Sequence, residues 1–186
     1  QIQQSIGEFL NRLHHIDLSI IANCHLNMLD YKDEYSDDLE TAQRFISPDL
    51  SPTERETTDN IFASYFSNKE NFYYRPALIH NDFSTDHILY QKTRREISGI
   101  IDFGDLAIGD PDYDLLHLYN SFGVNFIMGL LRFYKHNDPE NLLKKLDFYS
   151  GANKLQILTG SIEDGEESGI KNGYGNFKEW LKKNRE

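Results

Sequence analysis

Apolar residues recur at helical spacing through most of this chain. At the start, Ile2, Ile6, Phe9, Leu10 and Leu13 fall on one face, which predicts an amphipathic helix over residues 1–16. Residues 17–37 are acidic and weakly periodic and read as a loop or short helix, with Cys24 and His25 as packing residues. Leu39, Ala42, Phe45 and Ile46 suit a short helix over 38–46. A stronger start follows at Ser51-Pro52-Thr53-Glu54: Ser51 can cap, Pro52 suits the first helical position, and Glu54 completes a capping box. Ile61, Phe62, Tyr65 and Phe66 give that helix its buried face, and Asn68–Asn71 ends it.

The period then changes. Ala77-Leu78-Ile79, Ile88-Leu89-Tyr90 and Ile97 with Gly99-Ile100-Ile101 are short apolar runs bounded by polar loops, the pattern of small strands. Charged Lys92–Glu96 reads as a hairpin tip, and Tyr73 and Tyr74 as core aromatics ahead of the first strand. From Leu115 the helical pattern returns: Leu115, Leu116, Tyr119 and Phe122 form one face, and Val124, Ile127, Leu130, Leu131 and Tyr134 a second. Asp138-Pro139 opens another helix with Leu142, Leu143, Leu146 and Tyr149 inside. Gly165, Gly169, Gly173 and Gly175 are expected to break the tail, with Phe177, Trp180 and Leu181 docking its last turn. The predicted class is mainly α with a small β-hairpin unit over 77–102, an α+β fold. Its segments are a helical entry and insert over 1–75, a loop-bearing unit over 76–114 and a helical tail over 115–186.

Composition narrows the classes. The 186 residues are 39% hydrophobic and 13% aromatic, enough for one domain with a core and unlike a disordered chain. A net charge of −11 with no basic stripe argues against nucleic acid. It suits a cationic partner, and equally an acidic surface that serves solubility. The longest mostly apolar run, Phe122–Leu131, is far short of a membrane span, and no signal peptide is visible. The one cysteine, Cys24, permits no internal disulfide, which fits a reducing, cytoplasmic setting.

Candidate chemistry gathers between the strands. Asp82 follows His80 by two positions, His87 follows Asp82 by five, and Asp102 follows Asp82 by twenty. Read singly, Asp82 is a cap or loop carboxylate, Asp102 a turn at a strand end, and His87 a packed or solvated histidine. Jointly they match what phosphoryl transfer needs: one carboxylate to orient the attacking hydroxyl and take its proton, and separate ligands to hold Mg²⁺ on nucleotide phosphates. Kinase catalytic loops supply these as H-x-D-x-x-x-x-N followed by D-F-G. This chain has His80-Asn81-Asp82, then His87 in place of the Asn, then Asp102-Phe103-Gly104.

On these residues the segment resembles the aminoglycoside phosphotransferases, and more widely the small-molecule kinases related to choline and homoserine kinases. HNDFSTDHIL followed by GIIDFGDLAIGDPDYDL is most similar to the branch that phosphorylates the 2″-hydroxyl, some members of which carry His at the metal-ligand position; FLNRLHHI at 9–16 adds a weaker match. No A-P-E segment follows Gly104, which separates the chain from protein kinases.

The resemblance implies the C-terminal lobe of a protein-kinase-like fold. It implies Asp82 as the catalytic residue, His87 and Asp102 as Mg²⁺ ligands, and His80, Asp110 and Asp114 as bracing around them. It also implies ATP or GTP as donor and an aminoglycoside, a small cationic alcohol and antibiotic, as acceptor, hence antibiotic resistance. Glu163, Asp164, Glu166 and Glu167 read as a solvated loop or as an anionic rim for such a substrate. One departure bears on the acceptor: where the branch has an acidic cluster soon after its DPDxD segment, this chain has Asn120–Asn125. A choline-, homoserine- or macrolide-like alcohol is the alternative.

The phosphate loop and strand Lys of a nucleotide lobe are expected ahead of residue 1, because neither pattern precedes Asp82 and the chain opens on Gln1. Residues 1–186 alone are therefore expected to be inactive. A non-catalytic binding module of the same fold is the alternative to an enzyme.

Overall fold

The computed structural model describes residues 1–184 and forms two compact units, residues 1–29 with 74–146 and residues 30–73 with 147–184. In the first, α1 (Ile2–His14) buries Ile6, Leu10 and Leu13, the face expected from its apolar spacing. It lies against α4 (Leu116–Leu130): Gln3 Nε2 donates to the Phe126 carbonyl at 3.1 Å. A Cβ on Gly7 would come within 2.9 Å of Phe133, so glycine permits this close approach.

Five short strands complete the unit: β1 (Asn27–Met28), β2 (Ala77–Ile79), β3 (Ile88–Gln91), β4 (Glu96–Ile100) and β5 (Ala107–Gly109). β3 and β4 form the expected hairpin, with the charged tip between them. Its register shifts between Leu89 and Tyr90, which face Gly99 and Ile97, so Ser98 of β4 is the extra residue of a bulge. β2, by contrast, is not part of that hairpin. It pairs antiparallel with β5, Ala77 opposite Gly109, and β5 pairs parallel with β1, giving the order β1-β5-β2. Strands of two or three residues carry too little alternation to be read locally; pairing between distant segments defines them.

In the second unit α2 (Tyr31–Phe45) begins well before residue 38. The Asp30 carboxylate caps it by accepting from the Lys32 and Asp33 amides, and Tyr31 and Tyr35 bury beside Phe148 and Tyr149. The aromatic stripe, not aliphatic spacing, gives this acidic segment its buried face. α3 (Pro52–Ser67) starts as read, with both halves of the capping box formed: Ser51 accepts from the Glu54 amide and Glu54 from the Ser51 amide.

α5 (Pro139–Glu163) and α6 (Glu167–Lys183) close the chain, and Phe177, Trp180 and Leu181 are buried as expected. Gly165, at φ 67°, separates the two helices, whereas Gly169, Gly173 and Gly175 lie inside α6. A Cβ at Gly173 would stand 2.9 Å from Leu158 Cδ1, so that glycine lets the helices approach rather than ending one of them. Three further readings are corrected: Cys24 and His25 are exposed, and Tyr73 is 85% exposed.

Candidate active site

The loop after β2 carries Asp82, and its backbone is pinned from below. His80 and Asn81 donate their amides to the two oxygens of Asp114, each at 2.8 Å. Asp114 is 1% exposed and also lies 2.9 Å from His14 Nε2. A carboxylate is acceptor-only, so His14 carries its hydrogen on Nε2 and accepts at Nδ1 from the Tyr134 hydroxyl, 2.8 Å away. Burial, with Asp112 and Asp114 nearby, pushes the Tyr134 phenol well above its ordinary range and keeps it a donor. Asp114 therefore braces the loop; it does not cap α4, whose N-cap residue is Leu115. Asp110 caps the 3₁₀ turn Pro111–Leu115 by accepting from the Asp112 amide at 3.0 Å.

A buried ion cluster fixes that turn. Lys145 of α5 reaches both Asp110 and Asp112, and His136 Nε2 lies 3.0 Å from Asp112. Desolvation opposes the charge on Lys145, but the two carboxylates outweigh it and raise its pKa. Desolvation likewise opposes the Asp112 charge, and His136 with Lys145 lowers its pKa nonetheless. Removing one partner of such a cluster leaves an unpaired buried charge.

On this frame Asn81 takes φ 69°, a left-handed conformation that Asn tolerates, and the chain turns to present Asp82 with its side chain 39% exposed. The Asp82 carbonyl accepts from the Ser84 amide at 2.9 Å and from His87 Nδ1 at 2.8 Å. The strand ladder also runs into the site, because the Ile101 amide donates to the His87 carbonyl at 3.0 Å. His87 at the head of β3 and Asp102 after β4 are thus held opposite one another. Asp102 adopts φ 63°, the second left-handed non-glycine residue here. His80 ties the two loops by donating from Nε2 to the Ile101 carbonyl at 3.0 Å, its ring between Phe83 and Phe103.

His87 stands between the two carboxylates, with Nδ1 3.5 Å from Asp82 Oδ2 and Nε2 3.5 Å from Asp102 Oδ2. Its hydrogen bond to the Asp82 carbonyl, against desolvation and with the charges of Asp82, Asp102 and Asp86, raises its pKa above the ordinary histidine value. The same bond places the hydrogen of the neutral ring on Nδ1 and leaves the Nε2 lone pair facing Asp102. A lone pair against a carboxylate is unfavourable until a proton or a metal cation lies between them. The residues therefore fit a divalent cation held by His87 Nε2 and Asp102. Among the described residues no group of three or more His, Cys, Asp or Glu side chains forms a metal site, so phosphate or water oxygens must complete such a shell.

A third imidazole, absent from the sequence reading, reaches the site. His117, in the first turn of α4, places Nε2 3.6 Å from Asp82 Oδ1. Burial pushes its pKa down, with the charge of His87 adding to this and those of Asp82 and Asp114 opposing. Its place three residues after Asp114, one helical turn on, is the signal that was there to find.

The acidic segment belongs to the second unit. Glu163 ends α5, Asp164 and Gly165 make the turn, Glu166 is the N-cap position of α6 and Glu167 lies in its first turn.

A loop that presents an exposed aspartate beside a His–Asp pair, on a helical lobe with two small sheets, has the architecture of the C-terminal lobe of a kinase-like fold. The chain belongs to the phosphotransferase enzyme family, whose description matches residues 1–145. It matches the C-terminal lobe of the aminoglycoside phosphotransferases. It is similar to the GDP and kanamycin complex of APH(2")-IIia at 26% identity and a TM-score of 0.93, over 98% of this chain and 62% of that one. It is also similar to ADP-bound APH(2'')-Ib at 25% identity and a TM-score of 0.74, over 99% of this chain and 63% of that one. Macrolide 2'-phosphotransferase type I shares the fold at 16% identity and a TM-score of 0.77, over 95% of this chain and 58% of that one. The chain spans less than two thirds of each of these proteins. Among the described residues no helix is long and apolar enough to cross a membrane.

Proposed function

We propose that this chain is the acceptor-binding and catalytic lobe of a cytoplasmic enzyme that moves the γ-phosphoryl group of ATP or GTP to a hydroxyl of a small cationic alcohol, an aminoglycoside antibiotic. Such an activity would confer resistance. The observation that carries the reading is the Asp82 carboxylate, exposed on a loop whose backbone Asp114 pins and whose flank His87 and Asp102 occupy. Asp82 accepts the hydrogen bond of the acceptor hydroxyl, aims its oxygen, and takes its proton as the new oxygen–phosphorus bond forms and the bond from the γ-phosphorus to the departing nucleoside diphosphate breaks. His87 Nε2 and Asp102 would hold Mg²⁺, which when bound neutralises charge on the donor phosphates. Positioning supplies most of such catalysis, so residues 1–186 expressed alone turn over no acceptor. Organisation of the 186 residues as one lobe, with segments 1–75, 76–114 and 115–186, is part of the same reading. So are the bracing roles of His80, Asp110 and Asp114 and an anionic rim at Glu163, Asp164, Glu166 and Glu167.

The intact protein incubated with ATP or GTP and a panel of aminoglycosides should yield a product heavier by one phosphoryl group in mass spectrometry. Transfer to choline, homoserine or a macrolide instead would move the acceptor class, and binding without transfer would make the chain a non-catalytic module. One observation favours another alcohol: residues 115–131, which include His117 beside Asp82, contain no Asp or Glu to pair with amines.

A further inference from the structure

We propose that His117 is a positioning residue for Asp82: with the acceptor bound, its imidazole Nε2–H closes on Oδ1, which stands 3.6 Å away in the free protein, and so fixes which carboxylate oxygen receives the acceptor's proton. The inference rests on the phosphotransferase reading above. The 3.6 Å separation is longer than a hydrogen bond, and a carboxylate only accepts, so the contact closes with the hydrogen on Nε2, the ring nitrogen that faces Oδ1. The other oxygen, Oδ2, lies 3.5 Å from His87 Nδ1, whose hydrogen is already given to the Asp82 carbonyl. Oδ2 therefore has no hydrogen of His87 aimed at it and stays open to the acceptor hydroxyl, while Oδ1 is turned to His117.

The grip has a rigid base. His117 lies three residues after Asp114, which holds the His80 and Asn81 amides, so one short segment secures both the backbone of the loop and its reactive side chain. The charged or titratable groups acting on the His117 ring are Asp82, Asp114 and His87. Burial outweighs the two carboxylates and favours the uncharged ring. An uncharged donor orients Asp82 without the strong ion pair that would weaken it as a base.

The test compares kcat and KM for intact wild type, His117→Phe and His117→Gln, alongside Asp82→Asn. Phe removes the donor and Gln returns an N–H at similar reach. The expected result for His117→Phe is a kcat lower by about 10- to 100-fold, the scale of a small misplacement of a reacting group, with KM for the nucleotide unchanged. His117→Gln should recover most of the loss. Combined with Asp82→Asn, His117→Phe should cost nothing further, since both act through one carboxylate. Should His117→Phe melt below the assay temperature, His117→Ser, which opens the space to water, replaces it. Full activity in the donor-less variant, or equal losses for Phe and Gln, would overturn the proposal while an inactive Asp82→Asn left the enzyme reading intact. An active Asp82→Asn would overturn both.

Discussion

His14 and Asp114, one hundred positions apart, meet at 2.9 Å, and through Asp114 the end of α1 bears on the loop that presents Asp82. Three donors converge on this one buried carboxylate. Charge-assisted hydrogen bonds are the stronger kind, and losing their shared acceptor strands all three donors at once. Asp114→Ala should destabilise the protein by about 3–5 kcal/mol, measured by denaturant unfolding. His14→Ala should cost less, because the two amides keep their acceptor.

Asp82→Asn should lower turnover by roughly 10²- to 10⁴-fold, the range for loss of a general base. Nucleotide affinity by calorimetry should persist if Asp82 serves the acceptor, as proposed. An outcome with nucleotide binding lost and turnover spared would reverse the roles of Asp82 and the His87–Asp102 pair.

Asp38 links stability to pH. Burial raises its pKa from 3.8 to about 6 against the hydrogen bond that Gln156 donates at 2.8 Å, and repulsion from Asp37 adds to the rise. A carboxyl raised in the folded state stabilises fully below its unfolded value and loses that contribution as pH rises through about 6. Asp38→Asn keeps an acceptor for Gln156 and removes the charge. It should be more stable than wild type at pH 7 by about 1–2 kcal/mol, and the gain should vanish by about pH 4. Melting temperatures across that window check the sign.

Two glycines of α6 should respond oppositely to alanine. At Gly173 a Cβ meets Leu158 at 2.9 Å, with the Leu158 backbone at 3.2 Å, and overpacking should cost about 1–3 kcal/mol. At Gly175 nothing lies within 4 Å, so Ala should stabilise by about 0.5–1 kcal/mol through helix propensity. Paired thermal melts separate the two effects.

Where the signal is local, the sequence is a good guide to this molecule. The Ser51–Glu54 capping box, the apolar face of α1 and the β3–β4 hairpin all follow from residues within a few positions of one another. The grouping of His87 with Asp82 and Asp102 was legible for a different reason, because their spacing matches a known catalytic pattern. Illegible were features made by distant partners. β5 exists because Ala77 and Asn27 flank Ala107–Gly109 from remote segments. Asp114 turned from its own helix to amides 33 and 34 residues away, and α2 buried tyrosines where aliphatic spacing was sought. His117 reaches Asp82 across a similar gap, and its place one helical turn after Asp114 is the only local mark it carries.

The antiparallel pairing of Ala77 with Gly109 closes the chain into a ring around everything between them. The hairpin hangs from that ring, and its tip at residues 92–95 is a solvated turn far along the sequence from the closure. Extra residues inserted there enlarge a loop that is already closed, at an entropic cost that grows only slowly with length. The tip is therefore a natural port for a guest sequence such as a peptide tag or a fluorescent reporter. The register that holds His87 opposite Ile101 would remain set by the rungs below it.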